Sequence, residues 1–169
     1  MQKTQSDFVR HTLEPVFDEN SHVLILGSLP SPKSRESGFY YGHVQNRFWK
    51  VLAGVYGEEV PQTNDEKKSF VLRHKIALWD VIESCRIYGA SDSSITDVTP
   101  NDMSLIFSSC EIRAVFTLGA KAYELYNKLC LEHAEKHPAV KLPSTSPANA
   151  AWSLEKLVGE YSVIKNYTC

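Results

Sequence analysis

The segment His43-Val44-Gln45-Asn46-Arg47-Phe48-Trp49 sets an asparagine directly ahead of an apolar helical run. An asparagine in that place is a favourable helix cap, worth about 1 kcal/mol. Its amide also carries donors and an acceptor that could hold a water, a sugar or a base. An amide is no general base near neutral pH, so chemistry at Asn46 would rest on orientation and charge stabilisation. Asp80 lies between Trp79 and Val81, where a buried carboxylate needs a partner. It reads either as a structural acceptor or as a supporting acid. Ser28, His43 and Asp80 offer the residue types of a hydrolase triad, but the GxSxG context is absent. Gly27-Ser28-Leu29-Pro30 follows an apolar run yet matches neither GxGxxG nor GxxxxGKS/T, which argues against a phosphate loop.

Charge and aromatic residues cluster around these groups. Residues 33–50 carry Lys33, Arg35, Arg47 and Lys50 against Glu36, a net +3, and residues 67–75 carry +4. Residues 51–66 and 76–111 carry -4 and -5. A duplex could approach one basic face of such a molecule; an ordinary mixed-charge surface is the plainer reading. Phe39, Tyr40 and Tyr41 interrupt the polar loop before Gly42-His43. Aromatics there could stack on an extruded base or plug the core.

Bulk properties narrow the field. The 169 residues suit a single domain over 1–169, and a formal charge of -2 excludes a generally basic DNA-coating protein. Apolar stretches such as Val23–Leu26 are far too short to cross a bilayer. The start, MQKTQSDFVRHTLEP, lacks the apolar block of a secretory signal, so a cytoplasmic protein is expected. Cys85, Cys110, Cys130 and Cys169 form no CxxC or Cys/His cluster, and no metal site is expected.

The elements that must position these residues follow from periodicity. Residues 3–14 suggest an opening helix anchored by Val9 and Leu13. VLILG reads as a buried parallel strand, and residues 28–45 as a long binding loop. RFWKVLAGVYG predicts a helix with Phe48, Leu52 and Val55 on one stripe and Gly57 as its stop. A helix over 67–74, a strand in IALWDVI and a polar loop after it are expected next. Asp102 then caps a short helix, RAVFTLG forms a strand and AKAYELYNKL a helix. AVKLPSTSP is extended, and a last helix covers 151–163. This alternation predicts an α/β fold, a three-layer α/β/α domain around a mainly parallel sheet. Ligands in such sheets bind beyond the carboxyl ends of the strands, which brings the loop after Gly27 and the loop Ser144–Asn149 to one cleft.

Three stretches together resemble one known family. GSLPSPKSRESGFYYGHVQNRFWKVLAGVYG, IALWDVIESCRIYGASDSSI and LPSTSPANA are similar, in this order, to conserved regions of the hypoxanthine-DNA glycosylase family of the uracil-DNA glycosylase superfamily. The resemblance implies a four-stranded parallel sheet, no cofactor, and a double-stranded DNA partner carrying a deaminated base. Hypoxanthine is the implied substrate, with xanthine or uracil in some relatives. Several branches place a catalytic Asp or Asn two residues after the first glycine; here Leu29 stands there, and the catalytic role maps to Asn46. Thr145 precedes Ser146-Pro147, where other branches have a histidine, which argues against strong uracil specialisation.

On this reading Asn46 orients a water towards the anomeric carbon. Gly27, Ser28, Leu29, Phe39, Tyr40 and His43 surround the base, with Phe39 or Tyr40 stacking on it. Lys33, Arg35, Arg47, Ser144, Thr145, Ser146 and Pro147 meet the DNA backbone, and Asp80 is the supporting acid. The expected enzyme is a monomer without lyase activity. A non-enzymatic nucleic-acid-binding module and a small-molecule nucleoside or phosphate-ester hydrolase are the other classes that these residues allow.

Overall fold

The computed structural model describes residues 5–11 and 13–168. The chain opens with strand β1 (Asp7–Arg10), followed by β2 (Val23–Gly27), helix α1 (Pro32–Ser37), α2 (Phe48–Tyr56) and α3 (Asn64–Arg73). Strands β3 (Ile76–Asp80) and β4 (Ile82–Ile87) come next, then a single 3-10 turn at Asp92–Ser94 and β5 (Thr96–Pro100). The second half holds α4 (Ser104–Phe107), β6 (Ala114–Leu118), α5 (Ala120–Leu129), α6 (Leu131–Lys136), β7 (Ala139–Leu142) and α7 (Leu154–Tyr161). A 3-10 segment, Ser162–Tyr167, follows α7.

Four strands form one wholly parallel sheet in the order β3-β2-β6-β7. All five residues of β2 and all five of β3 are buried, because helices cover both faces and leave no solvent side to alternate with. The result is the expected three-layer α/β/α domain. Helix α2 turns Phe48, Leu52 and Val55 inward, and Gly57 ends it in the left-handed conformation at φ +65°. Helices α2 and α7 pack closely, since a Cβ on Gly54 would lie 2.8 Å from a methyl of Val158. Helix α3 starts at Asn64, ahead of the expected Lys67, because Thr63 and Glu66 form a reciprocal capping box.

The amino-terminal expectation is corrected. Residues 7–10 are a strand paired antiparallel with β4, while residues 3, 4 and 12 lie outside the described set. Val9 and His11 are buried and Phe8 and Arg10 exposed, a period of two rather than of helical spacing. Strands β1, β4 and β5 form a second, antiparallel sheet that the sequence reading did not foresee. The expected strand IALWDVI is therefore divided between two sheets. The backbone turns at Val81, and Asn101 Nδ2 donates to the carbonyls of Asp80 (2.9 Å) and Ile82 (3.3 Å), closing over the bend. The supposed loop at 28–45 contains α1, which Ser31 caps by accepting from Ser34 N and which Gly38 ends at φ +77°.

His11 extends the pairing of β1 with β4 beyond Arg10, its N–H donating to Glu83 O at 3.2 Å. Leu13 N donates to its Nδ1, so Nε2 carries the proton and donates to Ile82 O at 2.6 Å. Burial, as the largest cause, lowers its pKa below the ordinary value of 6.5. The folded chain thus binds fewer protons than the unfolded one below that value, and stability falls as pH drops through the lowered pKa. Urea unfolding at pH 7.5 and pH 5 should show this loss, and His11→Gln, which keeps the donor, should reduce it.

Candidate active site

A cleft of about 930 Å³ opens at the carboxyl ends of the parallel strands. Gly27, Ser28 and Leu29 from the end of β2, Asp80 from the end of β3, Tyr41 and Asn46 line it. The segment Leu142–Ser146 forms another wall. The two loops that the sequence reading brought together do face one space.

The floor depends on a glycine. A Cβ on Gly27 would lie 2.6 Å from Asp80 Oδ1 and 3.3 Å from the Tyr41 hydroxyl. Asp80 is only 3% exposed, and its Oδ2 has no hydrogen-bond partner. Burial, and then the charge of Asp92, raise its pKa to about 8. At neutral pH this carboxyl is mostly protonated and can donate as well as accept. Tyr41 stacks on Phe48 with centroids 3.9 Å apart and planes 21° apart. Its buried hydroxyl has no partner, and burial and Asp80 hold the phenol well above its usual pKa.

Asn46 stands at the start of α2. Its Oδ1 accepts from Phe48 N and from Thr145 Oγ1, each at 2.9 Å. The N-cap of α2 is Arg47, one residue beyond the expected Asn46, and Asn46 instead lines the cleft while accepting from the first N–H of the helix. Arg47 lies where sequence reasoning did not put it. Its guanidinium donates to Ser146 O and Asn149 O, each at 3.1 Å, and to Trp152 O. Its backbone N–H donates to Thr145 O at 3.1 Å. The expected phosphate contact is thus committed to carbonyls of the closing loop, which have no other cation among these contacts.

The other expected residues separate into two groups. Ser28 lines the cleft and its hydroxyl donates to Asp92 Oδ1 at 3.3 Å. Arg35 also lines it, with a buried Nε that has no partner, whereas Lys33 is exposed 3.5 Å from Glu36. Ser144 and Ser146 line the cleft and shape its loop, accepting from Ser146 N and Ala148 N. Pro147 is exposed beside them. Phe39 is outside the lining and stacks on Trp49 at 6.0 Å. Tyr40 contributes to the wall but is 2% exposed, with its hydroxyl donating to Glu14 O. His43 lies outside the lining and accepts from Gln45 N, so Ser28, His43 and Asp80 form no triad.

Sequence reasoning missed Tyr41, Asp92 and Tyr161. Tyr41 was in view as the third aromatic of its run; it has a φ of +54° and lines the cleft together with Tyr40. Tyr161 supports the closing loop from behind by donating to Pro143 O at 2.5 Å. Among the described residues no group of three or more His, Cys, Asp or Glu could hold a metal ion. None of the described helices is long and apolar enough to cross a membrane.

A family model described as the uracil DNA glycosylase superfamily matches residues 14–162. A hypoxanthine DNA glycosylase of Methanosarcina acetivorans is 36% identical over 147 residues, 86% of this chain and 91% of that protein. One from Methanosarcina barkeri is 41% identical over 93 residues, which span 54% of this chain and 59% of that protein. The solution structure of a putative uracil DNA glycosylase from Methanosarcina acetivorans superimposes with a TM-score of 0.80 at 31% identity. It covers 95% of this chain and 99% of that one.

Two stability outcomes follow from the floor. Gly27→Ala should cost about 1–3 kcal/mol in chemical denaturation, because the new methyl overlaps the Asp80 carboxyl. Asp80 binds its proton more tightly folded than unfolded, so stability should fall as pH rises from about 4 to about 8. Asp80→Asn should remove this component, raising the melting temperature more at pH 8 than at pH 4.5.

Proposed function

The chain belongs to the uracil DNA glycosylase superfamily, and from that premise we propose that it releases hypoxanthine from double-stranded DNA by hydrolysis. The observation that carries this reading is the buried carboxyl of Asp80, one oxygen without a partner, at the floor of the cleft beyond the carboxyl ends of the parallel strands. A neutral carboxyl can donate to the O6 carbonyl of hypoxanthine while accepting from the adjacent N1–H. Xanthine and uracil present the same pair of groups, which makes them secondary substrates.

The chemistry is a displacement at the anomeric carbon. The C1′–N9 bond breaks with its electron pair passing to the base, a water oxygen bonds to C1′, and the water's proton ends on the departing base. Charge collects on the carbonyl oxygen of the base as the bond lengthens. An O–H donated there strengthens in the transition state, which is the condition for a catalytic gain. Adenine has an amino group at that place and offers no such oxygen. Tyr41, backed by Phe48, is the stacking surface in this reading, taking the role expected of Phe39 or Tyr40. Asn46 holds the attacking water.

The duplex meets the rim of the cleft. Arg35 and Lys33 on α1 are the phosphate contacts in this reading, and Ser144, Ser146 and Pro147 press on the backbone beside the extruded nucleotide. Extrusion costs a few kcal/mol, less at a weak or mismatched pair, which favours damaged sites. The enzyme is taken to act as a monomer in the cytoplasm.

Free-base release from duplexes bearing deoxyinosine, deoxyxanthosine or deoxyuridine tests the proposal, with deoxyinosine expected to react fastest. Duplex binding without release of any base would overturn it. Asn46→Ala should slow the single-turnover rate by about 10²–10³. The rate should also fall as pH rises through about 8, where Asp80 loses its proton. Asp80→Asn, which keeps a donor, should flatten that limb.

A further inference from the structure

The hydrogen bonds around Asn46 settle which end of its amide is free. Phe48 N–H is a donor, so the amide atom 2.9 Å from it is the oxygen; a nitrogen there would oppose two donors. The Thr145 hydroxyl, also 2.9 Å from this oxygen, must donate to it. An amide oxygen has two lone pairs, and both are engaged. What remains for the cleft is the Nδ2 amino group.

We infer that Asn46 works as a hydrogen-bond donor and that Thr145 is the positioning residue that sets this polarity. The inference rests on the proposed hydrolysis and adds to it the atom through which Asn46 acts. An amino group cannot take a proton from water. It can bind the water through one oxygen lone pair and leave the other directed at C1′, or it can donate to the base as negative charge develops there. Either use favours the transition state without any proton transfer to Asn46.

Thr145 can do this only while its loop is seated. The residue is 2% exposed, and its carbonyl accepts from Arg47 N at 3.1 Å. The Arg47 guanidinium holds the same loop at Ser146, Asn149 and Trp152. Neighbouring residues of one helix start thus divide the work: Arg47 fixes the loop, and the loop returns a hydroxyl that orients Asn46. A displaced loop would free the amide to rotate and offer its oxygen to the cleft.

Single-turnover excision of hypoxanthine by the full chain tests this, alongside KM and thermal melts. Thr145→Val, which keeps the shape and removes the hydroxyl, should lower kcat about tenfold with KM changed less than about twofold. Thr145→Ser should recover the rate to within about threefold of the parent. Asn46→Asp accepts the same two hydrogen bonds but has no donor, so it should fall to the level of Asn46→Ala. Asn46→Asp at least tenfold faster than Asn46→Ala would show an acceptor at work and overturn the inference, as would Thr145→Val at the parental kcat. If Thr145→Val proves unstable, the comparison of the two Asn46 variants decides. A parent enzyme that releases no base at all would defeat the proposed hydrolysis itself, a result distinct from either variant pattern.

Discussion

The site depends on a seam of hydrogen bonds between the first turn of α2 and a loop about a hundred residues later in the chain. Asn46 receives the Thr145 hydroxyl, and Arg47 reaches Ser146, Asn149 and Trp152. Each bond alone contributes on the order of 1 kcal/mol, with the charged ones stronger. Their collective effect is geometric. They hold the wall of the cleft against the group taken to perform the chemistry, and Tyr161 braces the same wall at Pro143.

The cleft floor follows a different logic. There the side chains are left short of partners: Asp80 Oδ2 and the Tyr41 hydroxyl are both buried and unsatisfied. A buried polar group without a partner costs about 1–3 kcal/mol, which a fold tolerates where a ligand will supply the missing bond. The seam is densely bonded, with Arg47 Nε its one buried atom among these groups left without a partner, while the floor is unsatisfied and receptive. A site that must read a base and then stabilise its departure needs both.

Much of this was legible in the chain itself. VLILG could hardly be other than a central parallel strand, and the stripe of Phe48, Leu52 and Val55 ending at Gly57 defined α2. The second sheet was hidden because β5 is mostly exposed and owes its strand form to pairing with β4, leaving little apolar alternation to read. Asn46, Asp80 and the Ser-Pro loop, singled out from residue types and resemblance, do line one cleft. Arg47 was misread because its partners are backbone carbonyls, which every residue possesses and no sequence pattern marks. Which of the three consecutive aromatics reach the cleft was not readable from a run of like residues: Tyr40 and Tyr41 line it and Phe39 does not.

The bend at Val81 carries a wider consequence. Strand β3 hands the chain to β4 across one intervening residue, so the joint has no slack to absorb a change in the smaller sheet's twist. The outer strands β1 and β5 grip the far side of that joint. The aim of the carboxyl beneath the cleft is therefore partly the property of a remote margin of the fold, and shortening the chain at its amino end would be felt at Asp80.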